Sequence, residues 1–242
     1  MKKKIFVVSA GLLIGTHSAL SAAALSTNAL LAFNSGSQTC NSSGANCSVQ
    51  GSYFSVDTNG DQAFSAYEAI GITPGSDGGL LVGQAQVASG SHTGSPDGSE
   101  TAPFDAPWSF YANTGMHQST TPVNIVSDDG NGHVLLDFSG WGATWNGIVN
   151  IPLGGDSANF PSDTGQAVVS CGYDCSFGDS FVLDYSAHVP VGDPSGFGTV
   201  FWGLHLEGTV SAVPIPAAIW LFGSGLLGLA GFIRDRRNGP AL

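Results

Sequence analysis

Thr199-Val200-Phe201-Trp202-Gly203-Leu204-His205-Leu206-Glu207-Gly208-Thr209-Val210 alternates along its length. Val200, Trp202, Leu204 and Leu206 fall on one side, and Thr199, His205, Glu207 and Thr209 on the other. This is the period-two signature of a strand with one buried face, and it assigns Trp202 to the core. Upstream, Val134, Leu136 and Phe138 alternate with His133, Leu135 and Asp137, and Phe181, Leu183 and Tyr185 repeat the pattern. Shorter apolar runs at 80–87, 108–112, 123–127, 148–151 and 166–171 are punctuated by Gly, Pro, Asn and Asp. No stretch between residues 75 and 211 carries three turns of helical period. Many short strands and Gly/Pro turns predict a mainly β fold, an antiparallel β-sandwich of jelly-roll-like kind, over residues 77–212. Long polar loops are expected at 90–107 and 151–164.

Working outward, residues 25–76 read as a small Cys-containing region whose best motif is Asp57-Thr58-Asn59-Gly60-Asp61-Gln62-Ala63-Phe64-Ser65-Ala66-Tyr67-Glu68. Asp57, Asn59, Asp61, Ser65 and Glu68 place oxygen ligands at loop positions 1, 3, 5, 9 and 12, and Ala63 offers its carbonyl at position 7. This resembles an EF-hand loop and implies Ca²⁺ as the bound ion, with Glu68 bidentate. Gln62 stands where such loops carry Gly for a left-handed turn, a departure costing on the order of 1 kcal/mol. No amphipathic helix pair flanks the loop, and an Asp/Asn/Gly turn is the plainer alternative.

The charge distribution is uneven. All six basic residues, Lys2, Lys3, Lys4, Arg234, Arg236 and Arg237, lie at the two ends, whereas every acid except Asp235 lies between them. A middle with seventeen carboxylates and no Lys or Arg excludes nucleic acid and anionic membrane surfaces as partners and favours divalent cations. Cys40, Cys47, Cys171 and Cys175 make an even set, as an oxidising compartment favours for disulfides. Cys40–Cys47 and Cys171–Cys175 are the simplest pairings among the three arrangements that four cysteines allow.

The ends supply an address. Lys2-Lys3-Lys4, an apolar stretch at 5–14 and small residues through Ala24 form a secretory signal peptide over 1–24. Residues 217–233 are uncharged, about 25 Å of helix, and Arg234, Arg236 and Arg237 after them predict one transmembrane helix with a cytoplasmic C-terminus. Residues 213–242 resemble the PEP-CTERM sorting signal of Gram-negative bacteria. Val213, Pro214, Ile215, Pro216 and Ala217 match its VPxPA form, and Trp220-Leu-Phe-Gly-Ser-Gly-Leu-Leu-Gly-Leu229 matches its helix. Ile215 replaces the Glu of the name-giving motif. The resemblance implies an inner-membrane intermediate, removal of the tail by an exosortase-type enzyme, and a final place at the cell surface or in an exopolysaccharide matrix. The body also resembles uncharacterised surface proteins of that group, which imply no activity.

Chemistry in the body is sparse. His205 and Glu207 share a strand face, as do His133 and Asp137, yet neither pair brings a third ligand in sequence. Phe177-Gly178-Asp179-Ser180 imitates the nucleophile block of GDSL-type hydrolases. However, Ser180 and His188 would lie on one strand, too far apart for a proton relay. Trp141 and Trp145, in the turn-rich Ser139-Gly140-Trp141-Gly142-Ala143-Thr144-Trp145-Asn146-Gly147, are candidate glycan contacts, although core burial is tryptophan's commoner fate. The sequence therefore predicts an exported, non-enzymatic surface or matrix protein stabilised by Ca²⁺. A carbohydrate-binding module for exopolysaccharide is the alternative, and a secreted glycan-active enzyme the third reading.

Overall fold

The computed structural model describes residues 24–41 and 46–213; the expected signal peptide up to residue 23 and the expected sorting tail and span from residue 214 lie outside the described residues. Fifteen strands and no helix make up the described residues, and every pair of strands is antiparallel. The large sheet runs β5 (Ala69–Gly71), β4 (Tyr53–Val56), β15 (Phe201–Ala212), β14 (Ser180–His188), β13 (Gln166–Cys171), β10 (His133–Asp137), β9 (Ile125–Asp128). Two more strands join it where β1 (Ala29–Phe33) pairs with the far half of β15 and β6 (Gly79–Leu81) pairs with β1. The small sheet runs β12 (Ile148–Pro152), β11 (Trp141–Trp145), β8 (Asn113–Ser119), β7 (Trp108–Phe110). A separate ribbon pairs β2 (Ser37–Cys40) with β3 (Cys47–Gln50).

β15 is the hub. It pairs with β14 from Phe201 to Thr209, and its other edge takes β4 at Trp202–His205 and β1 at Gly208–Ala212. Trp202, Leu204, Leu206 and Val210 point inward from it, as do Phe181, Leu183, Tyr185 and Ala187 from β14. They share one core with Trp108, Trp141, Ala143 and Ile151 of the small sheet. Two sheets closing over one apolar layer is the sandwich-like packing that the alternating pattern requires.

β1, β4 and β5 come from the segment 25–76, so much of that segment is built into the main sheet. Only the β2–β3 ribbon stands off it, closed by Cys40–Cys47. Cys171–Cys175 closes the turn after β13, where Asp179 accepts the N–H groups of Tyr173, Asp174 and Cys175 at 3.0, 3.0 and 3.1 Å. Both local pairings expected from the spacing are present. The Asp179 of the GDSL-like block thus caps a disulfide loop, and Ser180 and His188 stand at opposite ends of β14.

Candidate functional site: a carboxylate loop beside a sheet-face groove

The segment 57–68 links β4 to its neighbour β5, a hairpin setting in place of a helix pair. Its base is fixed by Val56 N–H donating to the Glu68 carbonyl (3.1 Å) and Asp57 N–H donating to that of Phe201 (2.9 Å). Asp57 accepts from Gly60 N–H (2.6 Å) and Gln62 N–H (2.9 Å), and both Asp57 and Glu68 are buried. Glu68 Oε1 accepts from the Thr58 N–H and hydroxyl, and its Oε2 from those of Ser65. Burial alone would raise the Glu68 carboxyl, but the Ser65 and Thr58 N–H groups, helped by both hydroxyls, hold it below the usual glutamate range.

Gln62 has φ 63°, the left-handed conformation that position 6 of such a loop needs. The side chain supplies the anchor that glycine would lack. Gln62 Oε1 lies 2.6 Å from His188 Nε2, while His188 Nδ1 faces Asp163 Oδ1 at 3.1 Å. The His188 ring is stacked between Phe160 and Phe201, and Phe201 stacks on Phe64 of the loop.

Asn59 and Asp61 are exposed: Asn59 Oδ1 accepts from Asp61 N–H (2.8 Å), and Asp61 Oδ1 from Ala63 N–H (2.9 Å). Among the described residues no three His, Cys, Asp or Glu side chains gather as a metal cluster. In this arrangement the loop oxygens face backbone donors, so a shared cation requires Asn59 and Asp61 to turn inward. The donor set itself, oxygen only with two buried carboxylates, has the chemistry of a hard cation.

Next to the loop, the outer face of the large sheet forms a groove of about 420 Å³. Its floor is low because Ser55, Gly203 and Ser186 lie in register across β4, β15 and β14. Phe64 walls one side; a Cβ on Gly203 would sit 2.5 Å from its ring. Ser162, Thr164 and Gln166 also line the groove. One register step on, Tyr53 stacks on His205 with centroids 4.9 Å apart.

His205 Nδ1 lies 2.7 Å from Asp184 Oδ1, and Nε2 lies 3.2 Å from Glu207 Oε1. The hydrogen bond to Asp184, opposed by burial and reinforced by Glu207, raises the His205 pKa above its ordinary value. Burial, then the Asp184 and Glu207 charges, push the Tyr53 phenol up as well, so Tyr53 stays a donor. The two carboxylates hold opposite edges of the imidazole and do not converge on one point, which a metal ion would need. Alternation exposes the His205–Glu207 pair in sequence, but Asp184 arrives only through the β14–β15 register, Asp184 opposite His205.

The candidate glycan contacts Trp141 and Trp145 lie elsewhere. Trp141 is 3% exposed, packed on Phe104, His117 and Phe138, so it is core and offers no sugar platform. Trp145 is half-buried, packs on Phe110 and Phe197, and donates its indole N–H to the Phe110 carbonyl (2.8 Å). β11 is a strand joining the core, where the Gly-rich sequence reads as a turn.

No family model matches the chain, and comparison with curated proteins and with solved structures likewise gives no match.

Proposed function

We propose that this chain is an exported, non-enzymatic protein of the cell surface or extracellular matrix, with a jelly-roll-like body stabilised by Ca²⁺. Asp57, Asn59, Asp61, Ser65 and Glu68 supply side-chain oxygens and Ala63 its carbonyl. The observation that carries the proposal is Gln62 at φ 63° between the buried carboxylates of Asp57 and Glu68. The backbone already has the turn that lets a twelve-residue loop close on a hard cation. Isothermal titration should give one Ca²⁺ per chain, with the heat abolished by Glu68→Gln; no heat with the wild-type protein would end the calcium assignment.

The non-enzymatic reading assigns no catalytic role to His117, His188 or His205. His117 and His188 are buried, and His205 is clasped on both ring nitrogens. The address rests on the resemblance at 213–242: an inner-membrane intermediate with a cytoplasmic C-terminus, then cleavage within Val213–Ala217 by an exosortase-type partner. The mature protein from its native host should lack every residue after that motif by intact mass. A mature species that still carries Arg236 contradicts this part of the proposal.

A further inference from the structure

We infer that the groove on the outer face of the large sheet is a binding site for an uncharged glycan chain. The inference goes beyond the calcium assignment, although Phe64 belongs to both the loop and the groove wall.

Three features of the groove select that chemistry. First, its lining combines hydroxyls and an amide from Ser162, Thr164, Ser186 and Gln166 with ring surface from Phe64, Tyr53 and His205, beside one carboxylate, Asp184, and the apolar Val168. Such a lining hydrogen-bonds a polyol and packs the C–H face of a sugar on a ring. About 420 Å³ lies within the roughly 300–1,000 Å³ usual for small-ligand sites.

Second, the floor is extended. A second depression of about 430 Å³ continues along the same strands, where Ser170, Val182 and Glu207 follow Val168, Asp184 and His205 at two-residue steps. From Ser186 to Ser180 the two neighbouring depressions together span about 20 Å of strand at roughly 3.3 Å per residue, which suits a chain of several sugars. An extended peptide is a poorer fit, because strand addition needs a sheet edge and the trough lies on a face.

Third, the charge excludes acidic polymers. Asp184 and Glu207 border the trough, and the middle of the chain has no Lys or Arg. A uronic or sulfated chain would meet carboxylates with only His205 to offset them.

The test is an array of uncharged, amino and uronic oligosaccharides probed with full-length protein, once in Ca²⁺ and once in chelator. Retention on at least one uncharged glycan in either buffer is expected, with affinity reduced at least about tenfold by Ser186→Trp, which fills the trough from its floor. Gln166→Ala removes the amide without adding bulk and should also weaken retention, which guards against a folding defect in Ser186→Trp. Retention on no uncharged glycan in either buffer, retention on uronic chains alone, or wild-type affinity in both variants would overturn the inference. Ca²⁺ titration heat reads the calcium assignment separately, so the failure of one does not imply the failure of the other.

Discussion

Asp105→Ala should destabilise the body by about 3–5 kcal/mol, because it leaves three buried donors without their acceptor at roughly 1–3 kcal/mol each. Asp105 is fully buried. Its Oδ1 accepts the His117 backbone N–H at 2.9 Å, and its Oδ2 accepts the Trp108 indole N–H at 2.9 Å and pairs with His117 Nδ1 at 2.6 Å. Rings crowd this network: Phe54, Phe104, Trp108, Trp141 and Trp202 each contact the His117 imidazole. Alanine leaves donors from Trp108 and His117 facing aromatic surface, each a desolvated group worth roughly 1–3 kcal/mol when unpaired. Asp105→Asn keeps an accepting oxygen and should lose less. Urea denaturation at neutral pH reads both; a loss below about 1 kcal/mol for alanine would mean that this cluster does not hold the sheets together.

Phe54→Ala has a comparable expected cost, about 3–5 kcal/mol for a fully buried phenylalanine. Phe54 sits on β4 of the large sheet with no exposed surface, and its ring stacks on Trp202 of β15 (5.3 Å, 13°). It also meets Trp108 of β7 (4.5 Å) and His117 of β8 (5.0 Å) in the small sheet. Deleting the ring therefore opens a void at the point where the sheets touch. Because Phe54 and Asp105 share Trp108 and His117 as neighbours, the double variant should show a coupling of about 0.5–3 kcal/mol. Strict additivity would show that the aromatic layer and the Asp105 network act independently.

These two residues also show where the sequence was readable and where it was not. β10, β14 and β15 were legible because their inward residues are apolar and most of their outward ones polar, so period two survives in the letters. β8 was not, because Asn113–Ser119 has Met116 as its sole large apolar residue while every residue from Thr114 to Ser119 is buried. Most of its polar groups meet distant partners: the Thr114 hydroxyl donates to the Gly94 carbonyl, the His117 backbone N–H and Nδ1 meet Asp105, and Gln118 Oε1 accepts the Ala88 N–H, while His117 Nε2 is buried without a hydrogen bond. Burial by long-range hydrogen bonding leaves no local periodicity. β11 was missed for the opposite reason, since Gly142 and Ala143 are small to admit close packing, and small residues read as a turn.

The candidate site was half legible. Loop spacing singled out Asp57 and Glu68, and both are buried carboxylates closing the segment. Gln62 read as a flaw in that loop, yet its side chain reaches His188 across 126 residues, a contact no local pattern contains. The disulfides were legible because each closes a short loop, needing no knowledge of register. The groove was invisible, since it arises when Ser55, Gly203 and Ser186 align across three strands from distant parts of the chain.

The central claim is that a body with seventeen carboxylates and no basic residue draws stability from a cation held at 57–68. Melting the protein in millimolar Ca²⁺, in chelator, and in sodium chloride matched for ionic strength tests it most directly, because screening alone would relieve repulsion. At a hundredfold excess over Kd the ion adds about 2.7 kcal/mol, roughly 5–10 °C for a domain of this size. That shift is expected with Ca²⁺ alone and should vanish in Glu68→Gln, even though replacing one carboxylate oxygen by an amide nitrogen costs either the Thr58 or the Ser65 hydrogen bonds and lowers that variant's melting point in every buffer. Equal melting of the wild-type protein in all three solutions, or a shift that Glu68→Gln retains, would contradict the account.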